Sequence, residues 1–78
     1  MDLSIGDLVF LKVPLPYLKT ADPMPMLRPP GLISPDEQGI VVGVRAKNFA
    51  EVRFRRGTFL LPIEHLSLNK LNERSEND

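Results

Sequence analysis

FAEVRFRRGTFLL, residues 49–61, is the stretch on which the fold turns. Ala50, Val52 and Phe54 alternate with Glu51 and Arg53, the period-two pattern of a strand with one dry face and one wet face. Arg55-Arg56-Gly57 then supplies a turn, and Thr58 to Leu61 runs back as the antiparallel partner. Upstream, Gly39 to Val44 (GIVVGV) follows the turn-forming Ser34-Pro35-Asp36 and reads as another strand, with Gly39 and Gly43 as points where it bulges or bends. Leu8 to Val13 (LVFLKV) comes after Gly6-Asp7 and reads as the first strand. Pro62 to Leu68 (PIEHLSL) fits one helical turn and a short closing strand. No ten residues show helical periodicity. Short strands, tight turns and no long helix predict an all-β fold, a small five-stranded antiparallel barrel of the SH3-like, KOW type.

The chain has 78 residues, so it forms one domain that must draft nearly all its apolar residues into a single core. That domain is expected over residues 1–68. Residues 69–78 (NKLNERSEND) are polar without an apolar pattern and are expected to form a flexible, frayed C-terminal tail. With no cysteine there is no disulfide framework, thiolate ligand or thiol nucleophile. His65 is the one imidazole and has no nucleophile or orienting acid at motif spacing. Scattered carboxylates beside one histidine do not make a metal set, and no phosphate-cradling glycine loop is present. The chain is therefore expected to be a non-enzyme, with no catalytic residues, metal or cofactor. Met1-Asp2-Leu3-Ser4 carries no basic leader, and no apolar run approaches the ~20 residues a bilayer demands. A cytoplasmic monomer without membrane insertion is the expectation.

Seven of the eight prolines fall between Val13 and Gly39, a span far longer than an ordinary hairpin loop. Leu15, Tyr17, Leu18, Met24, Met26, Leu27, Leu32 and Ile33 make it unlike a disordered linker, so a long, ordered, proline-rich loop is expected between strands 1 and 2. Proline stiffening lowers the entropy lost on docking. Within the loop, Tyr17, Leu18, Met24, Met26 and Leu27 are candidate anchors for a protein partner, with Lys19, Asp22 and Arg28 as their polar rim. The competing use of the same apolar side chains is to close the barrel mouth. Net charge is zero but unevenly spread: residues 45–56 hold five bases against one acid. Alternation puts Arg53 and Arg55 on the outer face with Arg56 at the turn, a patch for an acidic partner or a phosphate, or else a solvated strand face. Zero net charge, and only Tyr17 and Phe49 as stacking platforms, disfavour nucleic acid.

PLPYLKTADPMPMLRPP (14–30), EQGIVVGVRA (37–46) and VRFRRGTFLL (52–61) together resemble the NblS-interacting protein A (SipA) family of cyanobacteria, over about residues 3–68. The resemblance implies an SH3-like regulatory adaptor. Such an adaptor binds the catalytic, ATP-binding region of an NblS-type sensor histidine kinase and stimulates its autophosphorylation in light and nutrient stress. The response regulator of that two-component system is a further candidate partner. Residues 17–30 and the strip Arg53, Arg55 and Arg56 would then form one composite docking surface. Two other readings stand beside it: a KOW-like nucleic-acid-binding barrel using the arginine strip, and a small structural subunit of a photosynthetic or respiratory complex.

Overall fold

The alternation in residues 49–61 becomes a hairpin whose register is fixed by its dry face. Val52 lies opposite Phe59 and Ala50 opposite Leu61, and all four are buried. The computed structural model describes residues 3–45 and 48–68. Its strands are β1 (Leu8–Leu11), β2 (Leu18–Thr20), β3 (Leu27–Arg28), β4 (Gln38–Arg45), β5 (Phe49–Phe54), β6 (Gly57–Pro62) and β7 (Leu66–Ser67). Single 3-10 turns stand at Pro30–Leu32 and Ile63–His65. Arg55 and Arg56 form the two-residue link between β5 and β6, and Gly57 closes it at φ +148°, where a side chain would be strained.

The seven strands form one antiparallel sheet in the order β3-β2-β6-β5-β4-β1-β7. One of its faces holds the core: Val9, Leu18, Val41, Ala50, Val52, Phe54, Phe59, Leu61 and Leu66 form a single cluster, which Ile33 joins. Among the described residues no second layer covers that face, since the helical content is two three-residue turns. The sheet must therefore curl round its own apolar side. Two features of β4 permit the curl. The register slips between Val41 and Gly43, a bulge that bends the strand. At Gly39 an added Cβ would lie 2.6 Å from Val52 Cγ1 and 2.7 Å from the Phe54 ring, so β4 can cross those side chains only as glycine.

The sheet differs from the expected barrel in two respects. Seven strands are present rather than five, and their pairing leaves β3 and β7 as free edges rather than closing. Both additional strands come from the proline-rich span, which is a hairpin rather than a loop. Leu18 pairs with Arg28 and Lys19 with Leu27, while on the other side Lys19 meets Leu60 and Thr20 meets Phe59. The prolines do not prevent this because they lie outside the paired residues, with Pro25 and Pro29 bracketing the edge strand β3. The β2–β3 link is tied at its base: the Thr20 N–H donates to the Met26 carbonyl (2.9 Å), and the Met26 N–H donates to Thr20 Oγ1 (2.8 Å). The first strand stops at Leu11 instead of Val13, and the final turn and short closing strand form as expected at Ile63–His65 and β7. The expected tail, 69–78, lies outside the described residues.

Candidate functional site

Strand alternation predicts a polar outer face, and between β2 and β5 the outer face is not polar. Register links Leu27, Lys19, Leu60 and Glu51 in one row across β3, β2, β6 and β5. A second row runs Pro62, Phe49 and Arg45 across β6, β5 and β4. Tyr17, two residues before Lys19 along the chain, extends it on the β2 side. From these rows Lys19, Leu60, Pro62 and Phe49 floor a groove of about 650 Å³, walled by Leu15, Pro16 and Tyr17 on one side and Arg45 on the other. Tyr17 stays half exposed at its lip.

Charge around the groove is not balanced. The Arg45 Nε–H donates to Glu51 Oε2, so that guanidinium is neutralised and pinned against β5. Lys19 is exposed and has no ion-pair partner among the described residues. One uncompensated ammonium therefore overlooks an apolar floor.

The other expected contact residues lie in several places. Leu18 is buried and serves the core. Met24, Met26 and Leu27 are exposed on the β2–β3 hairpin, with Met24 at the loop between Pro23 and Pro25. Asp22, Arg28 and Arg56 line a second depression of about 580 Å³ together with Thr20 and Thr58. Arg53 is exposed on β5, and Arg55 is exposed at the turn, where its backbone N–H donates to Glu37 Oε2 (2.8 Å). Arg45, the first base of the 45–56 stretch, lies beside Phe49, four residues and about 13 Å of strand from Arg53.

Leu15, Pro16, Leu60 and Pro62 are groove residues that sequence reasoning did not single out. The available signal was phase: Phe49 and Leu60 are apolar at positions where the alternation of β5 and β6 asks for polar ones. Elsewhere, His65 Nδ1 is buried without a hydrogen-bond partner among the described residues, and its Nε2 lies 4.0 Å from Glu64 Oε2. No group of three or more metal-ligating side chains occurs among the described residues, and no helix there is long and apolar enough to cross a membrane.

Residues 5–66 match the family described as "Protein CHLORORESPIRATORY REDUCTION 42-like". The chain belongs to the CRR42-like family. Comparison with curated proteins and with solved structures gave no match. The CRR42-like match overturns the resemblance to the SipA family, and with it the kinase adaptor and its two-component stress signalling. The string that carried the resemblance, residues 14–30, lies inside the CRR42-like span. Its odd composition has a structural cause, since it builds the hairpin β2–β3 and donates Leu18 to the core. A segment so used in folding is a poor witness to any one partner.

Proposed function

We propose that this CRR42-like chain is a non-enzymatic, protein-binding component of a chlororespiratory or photosynthetic electron-transfer complex, gripping it as a monomer from the aqueous, cytoplasmic side. The observation that carries the reading is the family match over residues 5–66, a span that contains every residue of the Leu15–Pro62 groove. An outward-facing apolar floor on so small a domain favours a binding role over a purely self-contained fold. The nucleic-acid reading is not favoured, because the chain has no net positive charge.

The SH3-like barrel belongs to the same proposal. Setting the β2–β3 hairpin aside leaves five strands in the neighbour order β6-β5-β4-β1-β7, the meander with a returning last strand on which such barrels are built. The hairpin is then an insert on the first connection, and the groove lies where insert and barrel meet.

Copurification tests the function. A tagged chain, released from its membranes in mild detergent and run on a native gel, is expected to migrate with redox subunits of one complex, identified by mass spectrometry. Migration alone, or with ribosomes, would remove the reading.

A further inference from the structure

The groove has a definite shape and an unbalanced charge, and both bear on what can lie in it. Its floor crosses β2, β6, β5 and β4, which are already paired with one another, so an incoming chain cannot extend the sheet there. Contact must be made by side chains. Four neighbouring strands at ~4.8 Å spacing span about 14 Å, the length of about four residues of extended chain. Phe49, Leu60 and Pro62 offer apolar contact, and Tyr17 an aromatic lip with a polar end. Arg45 is satisfied by Glu51, which leaves Lys19 as the unpaired charge on the rim among the described residues.

We propose that the groove takes a short, extended segment of a protein partner whose apolar residues fill the floor and whose carboxylate meets Lys19. This rests on the partner-binding reading above and specifies the chemistry of the segment. The positive rim selects against basic segments, since like charges brought together at an interface are costly and opposite ones guide the encounter. The domain's own Ala21-Asp22-Pro23-Met24-Pro25 loop has a similar make-up, so a second copy is the competitor to be tested.

The test uses the full-length, isotope-labelled chain and two capped peptides, Glu-Leu-Pro-Phe-Glu and its analogue with Lys in place of both Glu residues. The acidic peptide is expected to shift the amides of Tyr17, Lys19, Phe49 and Leu60 and to bind about tenfold more tightly than the basic one. Lys19→Glu should reverse that preference while the signals of the distant core residues Val9 and Leu66 stay in place, which certifies the fold. Equal binding of the two peptides, or shifts outside the groove, would overturn the proposal. Concentration-dependent shifts at the same residues without peptide would assign the groove to a second copy and overturn it too. The readout needs no complex, so failure to copurify leaves it standing, and its own failure leaves copurification intact.

Discussion

Phe59 and Leu60 are adjacent, both large and apolar, and they face opposite ways. Phe59 is 1% exposed and belongs to the core, whereas Leu60 is half-buried in the groove on the other side of β6. The same division runs along β5, where Ala50, Val52 and Phe54 point inward and Phe49 lies outside among the groove residues. Full burial of such a side chain is worth about 1.5–3 kcal/mol, and the inner residues realise it on folding. The outer residues realise only part, and the remainder is available when something covers them. Composition cannot separate these roles, while strand phase does.

Mutations can break or sharpen this contrast. The largest effect is expected on the inner face: Leu61→Ala should cost about 2–5 kcal/mol. Against a total of about 5–15 kcal/mol for a small domain, that should leave a visibly unfolded fraction in a urea titration. Gly39→Ala comes next, at about 1–3 kcal/mol of overpacking, because the new methyl meets Val52 and Phe54 and β4 must withdraw. Retained stability there would show that the curl of β4 can relax. The smallest change in stability is expected from Leu60→Thr, within about 0.5 kcal/mol, since threonine keeps the strand conformation. It should nonetheless abolish shifts caused by the acidic peptide. A loss at Leu60 as large as that at Leu61 would make the outer face a second core, and the contrast would collapse.

What was legible in the sequence follows the same division. The β5–β6 hairpin could be read because six residues of alternation are a long enough run to establish a phase and Gly57 marks its turn. β2 and β3 could not, since three and two paired residues are too few to show any period, and the surrounding prolines suggested a loop. The core assignment of Leu18 was hidden for that reason. The groove was legible only in part: phase marks Phe49 and Leu60 as outward-facing, but Phe49, Leu60 and Tyr17 meet through cross-strand register, which no local window contains. Family membership was misjudged because the most distinctive string reports on how the hairpin is built.

One feature of that hairpin reaches beyond the single molecule. Between Pro25 and Pro29, only Met26, Leu27 and Arg28 retain an N–H, and that of Met26 is already given to Thr20 Oγ1. A neighbouring chain seeking a ladder along β3 finds at most two donors, too few to register a strand. Many copies held at high local density would therefore lack the template from which a cross-β fibre grows on that side. The prolines make this border of the sheet inert to self-templating, and leave its exposed methionines free to meet other proteins through side chains alone.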